Sequence, residues 1–104
     1  MSEDLRRMAE EVDRLLHEPS RLLIATILYT VAKADFTYLL RETGLTKGNL
    51  SAHLAKLEEA GYVAVEKGFA GKIPRTTCSL TERGREAYRA YREHLRRTVA
   101  KMPR

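Results

Sequence analysis

Residues 44 to 63, GLTKGNLSAHLAKLEEAGYV, constrain the fold more than any other stretch. Gly44 is the residue with which a preceding helix stops in a left-handed turn, and Thr46 is a good helix N-cap. From Lys47 onward Leu50, Leu54 and Leu57 recur at spacings of four and three, and Gly61 stops the run before an apolar strand. One face of this helix is therefore committed to a core. The opposite face carries Lys47, Gly48, Asn49, Ser51, Ala52, His53 and Lys56, with no acid before Glu58. An ordinary solvated helix mixes both charge signs at four-residue spacing. Donors and small side chains without acids suit a helix inserted into the major groove of DNA, where they meet base edges and are not repelled by phosphate.

Together with the later segment EKGFAGKIPRTTCSLTERGREA, this stretch resembles the winged helix-turn-helix domain of MarR/ArsR-like prokaryotic and archaeal transcription regulators. The similarity is greatest to small single-domain regulators with a GNLSxHLxxLExAGYV helix and a KxFxGxxPxT wing. It covers roughly residues 17 to 90, the extent of one compact domain, and two separated motifs in the right order make it specific. The resemblance implies a mainly α fold with a small β-hairpin wing (α+β), double-stranded DNA as a partner, and no cofactor. It also implies a homodimer in which the first and last helices pack together. On this reading residues 1–104 form a single domain: a dimerisation helix over 1–17, a winged core over 18–81 and a second dimerisation helix over 82–104.

Charge and composition are consistent with that expectation. A chain of 104 residues with 43% hydrophobic content can build one modest core and is short for two. The net charge of +5 favours an anionic partner. It is unevenly placed: residues 1–18 hold six acids and three bases, 19–81 five and eight, and 82–104 three and eight. An acidic first helix is a poor DNA contact. A single cysteine excludes an internal disulfide and suits a reducing cytoplasm. No apolar run has the length of a membrane span or a signal peptide, so a soluble protein without a membrane partner is expected.

In chain order, residues 4–16 read as an amphipathic helix with Leu5, Met8, Val12, Leu15 and Leu16 on one stripe, ended by Pro19. Pro19 then opens a second helix, PSRLLIATILYTVAK, whose almost unbroken apolar surface predicts a central position. Asp35 can cap a short third helix from Phe36 to Thr43 with Phe36, Leu39 and Leu40 inward. Residues 44–46 are the tight turn of a helix-turn-helix, in which the earlier helix braces the duplex and the later one enters the groove.

After Gly61, residues 62–67 alternate as a strand and Arg75 to Leu80 reads as its partner. Residues 68–74 form the loop between them. From Lys67 to Thr77 there are three bases, Lys67, Lys72 and Arg75, and no acid. A basic hairpin tip beside the groove helix suits the negative potential of a narrow minor groove.

Thr81 caps the last helix, where Tyr88, Tyr91, Leu95, Val99 and Met102 are spaced three, four, four and three. This coiled-coil-like seam runs beyond what a small core could cover. It either finds a second copy, with Leu5, Met8, Val12 and Leu15 of the first helix, or folds back on its own domain. A two-fold dimer would place two groove helices about 34 Å apart on a palindromic site.

Individual residues carry competing readings. Asn49 either contacts DNA or caps its own helix, and Ser51 is a routine phosphate donor. His53 either lies near DNA or is half-buried beside Leu54. Lys47, Lys56, Lys72 and Arg75 are either phosphate contacts or ordinary solvated charges. Arg21 and Arg41 either brace the duplex backbone or pair with acids such as Asp35 or Glu42. Cys78 reads as a small apolar strand residue rather than a redox sensor. His17, His53 and His94 lie far apart, so no metal site is expected. Tyr88 and Tyr91 either serve the helix interface or line a pocket for an effector of unknown identity. The functional expectation is a dimeric, sequence-specific DNA-binding regulator, most often a repressor among the proteins it resembles. The alternative from another class is a winged-helix protein-interaction module. No nucleophile-base, paired-carboxylate or phosphate-cradling constellation suggests an enzyme.

Overall fold

The computed structural model describes residues 3–104 and contains five helices and one three-stranded sheet. The order is α1 (Glu3–Glu11), α2 (Pro19–Val31), β1 (Lys33–Asp35), α3 (Phe36–Thr43), α4 (Lys47–Glu59), β2 (Val63–Ala70), β3 (Ile73–Leu80) and α5 (Glu82–Lys101). The sheet is antiparallel with β3 in the centre, flanked by β1 and β2. This is the expected α+β winged architecture.

Local chemistry sets the ends of α3, α4 and α5. The Asp35 carboxylate accepts from the Tyr38 amide (2.7 Å), the Thr46 hydroxyl from that of Asn49 (3.2 Å), and the Thr81 hydroxyl from that of Gly84 (3.0 Å). Gly44 adopts φ 70° and closes α3 with its amide on the Leu40 carbonyl. Pro19 stands in the first turn of α2, and the Glu18 side chain in front of it accepts from Ser20 and Arg21.

The first helix is shorter than its apolar spacing predicts. It stops at Glu11, and the Asp13 carboxylate accepts from the amides of Leu15 and Leu16 (3.0 and 3.1 Å). That side-chain capping competes with helix continuation and turns Leu16 into the core, off the α1 stripe. The strand β1 was not expected either; it exists through pairing with β3, Lys33 opposite Ser79 and Asp35 opposite Thr77. The hairpin is longer than foreseen. Strand pairing runs from Val63 and Leu80 out to Ala70 and Ile73, leaving Gly71 and Lys72 as the turn. Gly71, at φ 65°, occupies the first turn position as in a type II′ turn.

Leu16, Ile24, Leu28, Leu39, Leu50, Leu57 and Cys78 are fully buried, and Leu54, Val63 and Tyr91 complete the centre. Truncating any one of these leucines to alanine costs about 2–5 kcal/mol at such sites. The second helix is only partly central. Ile24, Ala25 and Leu28 are buried, but Leu23 remains 42% exposed and Val31 39%. At the base of α5, a Cβ on Gly84 would stand 2.1 Å from the Tyr62 carbonyl oxygen, so only glycine permits this helix to start against β2. Further along, α5 packs against α2 and α1, and the molecule measures 58 × 25 × 21 Å.

Candidate nucleic-acid interface

The three leucines of α4 lie in the core, and Thr46, Lys47, Gly48, Asn49, Ser51, Ala52 and Lys56 are exposed. Because Thr46 caps the helix through the Asn49 amide, the Asn49 side chain is not needed as a cap. No acid stands in the first turn of α4, and the space over Gly48 is open. The positive end of the helix dipole and its amide donors are thus aligned with a lysine and small neighbours, a favourable arrangement for phosphate.

Beside this helix runs a groove of about 340 Å³ lined by Ser51, Ala55, Glu58, Val65, Lys67 and Thr76, among others. It joins α4 to the wing. Lys67 and Lys72 are exposed along the hairpin. Arg75 is also exposed, but it lies 3.4 Å from the Asp35 carboxylate, which also caps α3. Asp35 therefore pairs with Arg75 rather than with Arg21 or Arg41. The Arg41 guanidinium instead lies over the Tyr38 ring, 5.8 Å from its centroid.

His53 is a correction to the expected groove face. It is half-buried, with Nδ1 3.2 Å from Arg21 and 3.6 Å from Glu18. It turns toward the start of α2 because Glu18 offers a carboxylate there. Partial burial pushes the Glu18 carboxyl up, but the Ser20 and Arg21 amides and the charges of His53 and Arg21 outweigh it and hold the group below its ordinary range. Arg21 also donates from Nε to the Leu15 carbonyl (2.7 Å), so it braces the protein's own chain.

The seam on α5 is likewise divided. Tyr91 is only 4% exposed and is core, a correction to its assignment to an outer interface; its hydroxyl lies 2.7 Å from His17 Nδ1. Tyr88 is half-buried, stacks on Tyr29 at 4.7 Å and donates to the Thr26 hydroxyl. Val12 and Leu15 also pack against the core. Leu5, Leu95, Val99 and Met102 stay exposed, and Met8 is half-buried. The α5 helix ends at Lys101, so Met102 lies just past it.

Cys78 is buried, and burial, with the charges of Glu58 and Asp35, pushes its thiol up to about 11. It is an inert packing residue at neutral pH. Among the described residues, no group of three or more histidines, cysteines or acids is placed to hold a metal, and no helix is long and apolar enough to cross a membrane. The sequence reading passed over Phe69 and Ile73, which are 73% and 70% exposed at the wing tip. Two large apolar residues amid three bases were the available signal.

A helix whose exposed residues carry no acid from Lys47 to Lys56, set after a tight turn and beside a basic hairpin, defines a DNA-binding protein of the winged-helix kind. The chain belongs to the winged helix DNA-binding domain family, whose model matches residues 20–99. An uncharacterized protein of Methanocaldococcus jannaschii is 35% identical over 78 residues, spanning 75% of this chain and 85% of the relative. A transcriptional regulator homologue from Pyrococcus horikoshii superposes with a TM-score of 0.84 at 30% identity, covering 95% of this chain and 96% of that one. A MarR-family regulator from Enterococcus faecalis shares the fold, with a TM-score of 0.74 at 23% identity over 97% and 93% of the two chains. The family and fold are those of DNA-binding transcription regulators, not of enzymes.

Proposed function

We propose that the protein is a sequence-specific repressor that binds a palindromic operator as a homodimer, with α4 in the major groove and the wing at the minor groove. The observation that carries this reading is the division of α4 into buried leucines and an exposed face of Lys47, Asn49, Ser51 and Lys56 without acids. Phosphate contacts from Thr46, Ser51, Lys67, Lys72 and the α4 amides supply affinity, and Asn49 with its neighbours supplies base preference. Arg75 contributes less, since Asp35 offsets its charge. The exposed Leu95, Val99 and Met102 of α5, with Leu5 and Met8 of α1, are the dimer surface in this reading. Repression follows from occupancy of an operator and is the usual mode among regulators the sequence resembles.

Selection of bound sequences from a random duplex pool tests the proposal directly. A single enriched palindrome, bound with a steep loss of affinity on adding salt, is the expected result. Joint replacement of Lys47, Asn49 and Lys56 by alanine abolishes the preference if α4 is the reader. Binding that ignores both salt and sequence identifies an interaction module instead. Sedimentation of the wild type as a monomer at micromolar concentration ends the homodimer reading.

A further inference from the structure

The wing tip combines features that a phosphate-contacting loop does not need. Phe69 and Ile73 are more exposed than any other large apolar residue of the described chain. The register sets Phe69 opposite Pro74 and Ala70 opposite Ile73. Directly opposed residues share a face of an antiparallel pair, and successive residues alternate. Phe69 with Pro74 thus lies on one face of the hairpin and Ile73 with Ala70 on the other. A patch for a flat partner would be apolar on one face only. A tip apolar on both faces fits an element entering a slot whose two walls it touches.

The charges around the tip identify the slot. Lys72 sits in the turn, Lys67 stands two residues behind Phe69, and Arg75, two residues behind Ile73, is paired with Asp35; no acid occurs between residues 67 and 77 of the hairpin itself. The same strand carries Lys67 into the groove shared with Ser51 and Ala55 of α4. The arm is stiff, because strand pairing continues to Ala70 and Ile73 and leaves a turn of two residues. An apolar point flanked by Lys67 and Lys72, continuous with a DNA-facing helix, matches the chemistry of the minor groove, where inserted apolar side chains part stacked bases.

We propose that the wing is an apolar wedge: Phe69 and Ile73 enter the minor groove beside each half-site, open a base step there and bend the DNA. This rests on the DNA-binding reading and adds to it a preference for easily unstacked steps, such as TA or CA, at the wing position.

The test uses the full-length protein on the duplex recovered by selection, carrying 2-aminopurine at successive wing-facing steps, with bending measured by circular permutation. Wild type is compared with Phe69→Ala, Ile73→Ala, the double variant and Lys72→Ala. The expected result is a rise in 2-aminopurine fluorescence at one step per half-site and a bend of roughly 20–90° with wild type. Both vanish in the double variant, whose affinity falls about tenfold on intact duplex and recovers on duplex carrying a mismatch at that step. Lys72→Ala weakens binding to intact and mismatched duplexes alike and keeps the bend. Circular dichroism of the variants should match wild type, since both side chains are exposed. The wedge is overturned if wild type binds its selected site without unstacking, or if the double variant bends it equally. Loss of self-association in the double variant with unchanged DNA bending assigns the tip to a second copy and also overturns it. Failure of wild type to bind any duplex defeats the underlying reading itself.

Discussion

Tyr62 donates its hydroxyl to the Asp13 carboxylate over 2.7 Å, joining the residue that leads into β2 to the turn after α1. Asp13 holds the amides of Leu15 and Leu16 with its other oxygen, so one side chain both ends the first helical segment and anchors it to the base of the wing. Tyr62→Phe is expected to lower stability by about 1–2 kcal/mol, and Asp13→Ala by more, because it strips three donors of their acceptor. Denaturant unfolding of the two variants checks the order.

The tyrosines should titrate in separate steps. Burial, the Asp13 hydrogen bond and its charge push Tyr62 up to about 12, burial raises Tyr91, and the Arg89 hydrogen bond brings Tyr29 down. Since Tyr62 is raised when folded, its contribution to stability is complete below the ordinary tyrosine value of about 10 and is lost as pH rises through 12. An ultraviolet pH titration of wild type against Tyr62→Phe should lose the latest step.

Protonation of Glu18 in acid should weaken the fold. Its folded pKa is depressed, so its stabilisation is present above the ordinary value of about 4.3 and is lost as pH falls through the lower folded value. Glu18→Gln should flatten this part of the stability profile. It should also raise the amide hydrogen exchange of Ser20 and Arg21, since it weakens their acceptor.

Two glycine-to-alanine replacements should move stability in opposite directions. Gly84→Ala drives a methyl group into the Tyr62 carbonyl and is expected to cost about 3 kcal/mol or more. Gly48→Ala, in open space within α4, is expected to gain about 0.5–1 kcal/mol. Equal effects on thermal unfolding would contradict the packing at the base of α5.

Cys78 should resist alkylation in the native protein at neutral pH and react at once in denaturant, because its thiol is raised to about 11 and has no solvent access. Fast native modification would place it on a mobile surface instead.

These relationships also show what a sequence can reveal. Helices α3 and α4 were legible because their stops are local: Asp35, Gly44 and Thr46 act within three or four residues. The face of α4 followed from leucine spacing alone. The break after Glu11 was hidden because Asp13, Leu15 and Leu16 also satisfy a helical period; the competing cap shows only in three dimensions. β1 has three residues and no pattern of its own, and it exists because β3 lies alongside. His53 and Tyr91 left the predicted surfaces for a similar reason. Their partners, Glu18 with Arg21 and His17 respectively, are more than thirty positions away in the chain.

Ala32 makes the corner between α2 and β1 at φ 69°, a backbone setting that L-residues seldom take. Holding it costs about 1–3 kcal/mol, while glycine there would forfeit about 0.4–1 kcal/mol by loosening the unfolded chain. The strain is the larger of the two, so glycine suits this corner better than alanine and larger side chains suit it worse. Without that bend Lys33 could not lie opposite Ser79, and the sheet would be reduced to a bare hairpin.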